Sequence, residues 1–306
     1  MSKNQIIAKW KYILAGSLLC LLSYYTYGQG CSDAGFCTIN SFKPNGGEPI
    51  KNQFKIGAFV GKGDNAISVY GNYVEYNRQL SKNFGLDAKL TTLAQSGNGI
   101  STFGISDFFL NSNYQASDKV KFTLGAKIPL SNANKTSSQV PLPMDYQASL
   151  GTFDVIFGIG YDLKKIQLVA AIQQPVSQNE NQFISTNFPA NSMLRSFQTT
   201  NKYQRSGDVL LRISYPIQVS SKLKLTASAL PIYHLANDKY SDELNVVKEI
   251  KGSKGLTLNG NVYFDYEVNS KNFLQLNLGA PFIVRDARPD GLTRSFIANI
   301  EYRIKF

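Results

Sequence analysis

The chain has 306 residues and a formal net charge of +11, with 17% charged and 43% hydrophobic residues. Its mean hydropathy of −0.19 excludes a bundle of membrane-spanning helices, each of which needs about 20 consecutive apolar residues. As a prior, the length fits one large domain or two ordinary ones.

The long uncharged apolar run lies at the start, from Tyr12 to Tyr25. Lys3, Lys9 and Lys11 precede it and Thr26-Tyr27-Gly28 come after it, with small residues at the two positions a signal peptidase inspects, so 1–28 reads as a secretory signal peptide cut after Gly28. A transmembrane anchor is the alternative, but the run is shorter than the ~20 residues that cross hydrocarbon as a helix. A basic protein would ordinarily suggest an anionic partner, yet an exported chain meets no nucleic acid. Cleavage removes Cys20 and leaves Cys31 and Cys37, most simply a local disulfide in an oxidising compartment. A lipoprotein reading of Cys31 is weaker, because Gly28 stands where a lipobox wants Leu. Residues 29–53 are polar and aperiodic, and read as a periplasmic segment that could lie beneath or inside the rest of the chain as a partial plug.

From 54 to 306 apolar and polar residues alternate with period two, the strand signature. The runs include Phe54/Ile56/Ala58/Val60, Val120/Phe122/Leu124/Ala126/Ile128, Phe153/Val155/Phe157/Ile159/Tyr161 and Leu274/Leu276/Leu278/Ala280, ending at Ile300/Tyr302/Ile304/Phe306. About twelve strands are predicted, starting near 54, 66, 84, 103, 119, 152, 165, 207, 222, 255, 272 and 294. Their connections alternate. Short lysine-bearing turns such as Ser81-Lys82-Asn83 and Asn269-Ser270-Lys271 take turns with a second set that includes long loops at 131–150, 177–206, 237–253 and 285–293. That asymmetry predicts an all-β transmembrane antiparallel up-and-down β-barrel of the bacterial outer membrane, with both termini periplasmic. At the short-turn ends Phe54, Phe84, Tyr114, Phe122, Tyr161, Tyr266, Tyr302 and Phe306 fall on the apolar parity, as an interfacial aromatic girdle would.

A strand protein in hydrocarbon has to close on itself, because lipid offers an unpaired N–H no partner. Closure makes the other parity a lumen. It carries Lys55, Asp87, Lys89, Asp107, Lys121, Lys127, Asp154, Asp162, Arg212, Lys222, Lys224, Asp265, Glu267, Glu301, Arg303 and Lys305. Nine cations against seven anions is close to balance, so most are expected to pair across the lumen rather than form the one-sided ladder of a pore for acidic solutes. Asp107, Lys127, Asp154, Arg212, Asp265 and Arg303 are the predicted solute contacts, each on the polar parity of a well-defined strand.

Other chemistry is sparse. The chain has one histidine, His234, with no serine among its neighbours for nucleophilic catalysis and one nearby acid, Asp238. Serines or acids distant in sequence could still approach it in space. Two cysteines and a solitary histidine do not make a spaced metal-ligand set, and the acids Asp238, Asp242 and Glu243 read as a solvated loop. No enzymatic activity, metal or cofactor is expected.

Three stretches carry resemblances to known families. The terminal Ile300/Tyr302/Ile304/Phe306 run resembles the assembly signal of bacterial outer-membrane barrels, which implies the barrel-assembly machinery as a partner with Phe306 at its centre. Phe103-Gly104-Ile105-Ser106-Asp107, Leu124-Gly125-Ala126-Lys127-Ile128-Pro129-Leu130-Ser131 and Leu150-Gly151-Thr152-Phe153-Asp154 are similar to the outer-membrane family linked to meta-pathway phenol degradation, a relative in style of fatty-acid-transport barrels. The similarity spans roughly 100–165, and departs from the family at Ser106, Leu130-Ser131 and Phe153. Cys31-Ser32-Asp33-Ala34-Gly35-Phe36-Cys37 looks like a motif of Bacteroidetes envelope proteins. Together these imply an outer-membrane channel or uptake barrel for small solutes, hydrophobic and aromatic ones included, embedded in outer-membrane lipid. The alternatives are a non-transporting structural or partner-binding barrel and, more remotely, an outer-membrane hydrolase.

Overall fold

The computed structural model describes residues 39–44, 52–290 and 294–306. The expected signal peptide and the expected Cys31–Cys37 disulfide lie outside the described residues. Twelve antiparallel strands form one closed barrel: β1 (Gln53–Gly63), β2 (Ser68–Gln79), β3 (Phe84–Gly97), β4 (Ile100–Gln115), β5 (Val120–Pro129), β6 (Asp154–Leu163), β7 (Ile166–Pro175), β8 (Asp208–Gln218), β9 (Leu223–His234), β10 (Gly255–Glu267), β11 (Asn272–Ile283) and β12 (Arg294–Lys305). Each strand pairs with its neighbours in sequence, and β1 pairs with β12, Gln53 opposite Lys305 and Val60 opposite Ala298. Phe306 N–H donates to Asn52 O at 3.1 Å and completes the seam. No edge is left, so the backbone groups of the wall are satisfied within the wall.

Alternation sets the two faces. Leu276 is 39% exposed on the outside while Gln275 is 2% exposed on the inside. The aromatic residues expected at the short-turn end all lie on the outer face, joined by Tyr76, whose ring stacks on Phe306 at 6.2 Å. A second outward aromatic set, Tyr70, Phe103, Tyr233, Phe282 and Phe296, lies toward the long-loop end. Phe306 lies ten positions after Phe296. At ~3.3 Å per residue and a tilt of ~40° that spans about 25 Å, the height of an outer-membrane apolar band. The protein is an outer-membrane β-barrel, with both ends of the strand series on the short-turn side.

The inner parity differs from expectation in two respects. Lys222 falls in the turn after β8 and is exposed, so it does not line the lumen. The lumen is also not uniformly polar: Phe109, Ile156, Val169, Ala171, Leu210, Leu230 and Ile232 point inward and pack together. A twelve-strand barrel encloses more space than paired charges fill, and apolar side chains occupy the rest.

One irregularity matters for the site. The register of β3 and β4 shifts between Leu90 and Thr92, so Ser106 and Asp107 oppose one residue and both turn inward. Thr91 fills the interrupted ladder, its hydroxyl donating to Asp107 O at 3.1 Å and accepting from Asp107 N–H at 3.2 Å.

Beyond the rim the long loops fold over the barrel. Ile67, Leu142, Tyr146, Phe183 and Phe197 form a second apolar cluster there, with Tyr146 and Phe197 ring centroids 5.8 Å apart. Two small hairpins, Thr136–Ser137 with Val140–Pro141 and Lys239–Ser241 with Val247–Glu249, stiffen this cap. The two faces predict opposite tolerances: Leu276→Arg should destabilise the barrel by about 2–4 kcal/mol in denaturant titrations in lipid, because it sets a charge against hydrocarbon, whereas Leu276→Val should cost less than about 1.5 kcal/mol.

Candidate functional site

The lumen is occupied by the chain itself. Residues 39–44, with a short 3₁₀ turn at Asn40–Phe42, lie inside the barrel with Ile39, Asn40, Phe42 and Lys43 all buried. Lys43 Nζ pairs with Glu301 Oε2 of β12 at 2.7 Å, and the Tyr73 hydroxyl donates to the same oxygen at 2.6 Å. Lys55 Nζ donates to Asn40 Oδ1 at 2.5 Å while pairing with Glu75 Oε1 at 2.9 Å. Arg212 Nη1 donates to the Phe42 carbonyl at 2.7 Å. Strands β1, β2, β8 and β12 thus hold the segment from several sides. The aromatic ring of Tyr73 is flanked by Lys43 and Lys89, whose ammonium groups stand 5.4 and 4.3 Å from its centroid.

The six predicted lumen contacts all point inward and separate into three places. Asp107, Lys127 and Asp154 come together, Lys127 Nζ lying 3.2 Å from Asp154 Oδ2 and 4.0 Å from Asp107 Oδ1, and donating to Thr152 Oγ1 at 2.9 Å. Ser149 donates to Asp107 Oδ1 at 2.6 Å, Ser106 to Oδ2 at 3.1 Å, and Gln173 to Asp154. The polar residues of the 100–165 motif therefore form a single buried network, which ties the loop after β5 to the wall. Asp265 and Arg303 pair toward the short-turn end, where Gln275 donates to Asp265 at 2.7 Å and Arg303 Nε meets Glu301 Oε1 at 3.0 Å. Arg212 stands apart and holds Phe42.

Sequence reasoning missed Glu75, Tyr73, Phe42 and Lys43. Glu75 and Tyr73 share the inward parity of β2 with Asn77, a readable signal. Phe42 and Lys43 lie in the aperiodic stretch, where nothing distinguishes them.

A third network closes the loop end. His234, at the end of β9, is 1% exposed, with Nδ1 2.7 Å from Asp208 Oδ1 and Nε2 2.8 Å from Asp238 Oδ1. Both ring nitrogens face carboxyl oxygens, an arrangement that the imidazolium form satisfies by donating from each. Asp238 was legible as a neighbour; Asp208 is brought in from β8 by the fold. Tyr203 donates to Asp238 at 2.8 Å, Arg205 pairs with Asp208, and Arg285 pairs with Asp290 at 3.0 Å. Arg205 and Arg285 hold Asp290 well ionised despite its burial, the neighbouring guanidiniums lowering its pKa. With both nitrogens committed and the ring shielded, His234 locks loops together and leaves no ring nitrogen for a serine. Among the described residues no group of three or more His, Cys, Asp or Glu is placed to hold a metal.

No family model matches this chain, and no curated protein sequence is similar to it. Solved structures share the barrel shape. The NanC porin matches with a TM-score of 0.45 at 8% identity, covering 83% of this chain and 98% of that one. The CymD monoaromatic hydrocarbon channel gives 0.44 at 9%, covering 92% and 95%. Outer membrane phospholipase A from Escherichia coli gives 0.38 at 7%, covering 84% and 93%. A porin, a channel and an enzyme at similar distance carry no functional argument; the site has to be read from its own residues.

Lys127→Met should destabilise the barrel by about 3–5 kcal/mol in denaturant titrations, since it leaves Asp107 and Asp154 buried without a cation, and adding Asp154→Asn should restore more than half of the loss. In the cap, burial pushes the half-buried Asp145 carboxyl up to about 7 from its ordinary 3.8, the more so with Asp64 and Asp290 nearby. A raised folded pKa means the folded state binds the proton more tightly, so this contribution is full below about pH 4 and is lost as pH rises through 7. Asp145→Asn should therefore slow proteolytic nicking of the loops at pH 8 and change little at pH 4.

Proposed function

We propose that this protein is an outer-membrane channel for small solutes whose lumen is shut at rest by its own residues 39–44. The observation that carries the reading is the way that segment is seated. It lies inside a closed barrel, and the side-chain hydrogen bonds that fix it include polar ones from Lys43, Lys55 and Arg212. Much of the surrounding wall charge is paired within the wall, as in Lys127 with Asp154 and Arg303 with Asp265. A wall that pairs much of its own charge lowers the cost of releasing an insert. The apolar stripe of Phe109, Ile156, Val169, Leu210 and Leu230 supports hydrophobic or aromatic solutes, which would enter beneath the loop cap and leave at the periplasmic, short-turn end.

The second reading, a barrel that transports nothing, is favoured by the depth of burial inside: Lys55, Lys127 and Arg212 are each no more than 1% exposed. Single-channel recording separates the two. The wild-type protein should be mostly closed in planar bilayers. Lys43→Ala removes a charge-assisted hydrogen bond worth about 1.5–3 kcal/mol, so it should raise the open fraction by roughly 10- to 100-fold. A folded Lys43→Ala barrel that remains silent at every voltage would favour the non-transporting barrel.

A further inference from the structure

Phe42 sits in a place shaped for an aromatic ring. Its side chain is 1% exposed and lies on Gly158 of β6, where a Cβ would come within 2.4 Å of ring atom Cε1 and 2.5 Å of Cζ. Gly158 pairs across the ladder with Ala171 of β7, so two of the smallest side chains stand side by side and leave a depression one ring deep. Ile156 and Val169, on the same two strands, belong to the apolar cluster that encloses it. Arg212 of β8 is in register with Val169, and its guanidinium donates to the Phe42 carbonyl at 2.7 Å. Ring and carbonyl are thus held at once, by an apolar depression and by a cation on the next strand.

We propose that this is a binding site for aromatic carboxylic acids, and that Phe42 is its resident mimic. In a phenylalanine residue two carbons separate the ring from the carbonyl carbon. The free molecule with the same spacing is 3-phenylpropanoate. With its ring on Gly158 and Ala171, its carboxylate falls where the Phe42 carbonyl now accepts from Arg212. A carboxylate gains more there than an amide carbonyl does, because Arg binds it through two parallel charge-assisted hydrogen bonds. The solute and the segment compete for one position, so the solute opens what it passes through. The site rests on the plugged-channel reading only for how it is reached.

Equilibrium dialysis with labelled 3-phenylpropanoate on the full chain in detergent tests this, with folding checked by gel heat-modifiability. Phe42→Ala should bind it at least tenfold more tightly than wild type. Adding Arg212→Gln should weaken that binding at least tenfold while leaving the uncharged 3-phenylpropan-1-ol bound; adding Gly158→Leu should abolish both. If Phe42→Ala does not fold, Phe42→Leu keeps an apolar side chain and should bind more tightly than wild type by a smaller factor. A folded Phe42 variant that binds 3-phenylpropanoate no better than wild type, or binds acetate equally well, overturns the site. Bilayer currents from the same preparations keep the two readings apart. Binding without current leaves the site standing and removes the channel; current without binding removes the site alone.

Discussion

Everything in this structure follows from the absence of hydrogen-bond partners in hydrocarbon. A backbone amide facing lipid tails must find a carbonyl on a neighbouring strand, and the last strand must find the first. Gln53 opposite Lys305 and Phe54 opposite Ile304 meet that demand. Once the wall is closed, side-chain parity becomes a statement about solvent: one set meets lipid, the other is enclosed. The enclosed set then has to solve a problem of its own, since a ring of twelve strands surrounds a volume that neither water nor lipid need fill.

The protein fills that volume with three kinds of matter. Ion pairs and amides occupy the β1–β3 side, where Lys55, Glu75, Asn77 and Asp87 are linked in succession. Apolar side chains from β4 and β6 to β9 form a patch on the opposite side, bordered by the Asp107–Lys127–Asp154 network and by Arg212. Residues 39–44 bridge them, Lys43 and Asn40 turned to the charged wall and Phe42 to the apolar one. This amphipathic division explains how so short a segment finds one orientation: reversed, it would set an ammonium against Ile156 and a phenyl ring against Glu75.

The barrel was legible because it is repetitive. Strand starts read from period two lie within three residues of those observed, as at β2 (66 against Ser68) and β4 (103 against Ile100). The alternation of short and long connections fixed the two ends independently of strand boundaries. What escaped was everything that depends on contacts between distant segments. Asp208 meets His234 because β8 and β9 pair, and Phe42 meets Gly158 although nothing in the sequence near residue 42 has a period. The inward apolar residues escaped for a related reason. Phe109 and Ile156 break the polar parity, and they make sense only once the 39–44 segment and the loop cap are there to cover them. The bulge at Ser106 and Asp107 is a third case, because inserting one residue into a ladder leaves composition unchanged while reversing every side chain beyond it.

The ion pair between Lys43 and Glu301 joins residues 258 positions apart, one from the earliest described segment and one from the final strand. It places an ordering on biogenesis. The anchor that Glu301 gives the segment forms only once β12 has joined the wall, and β12 is the strand that shuts the seam. That contact of the cork is therefore made only in a cylinder already sealed at its side.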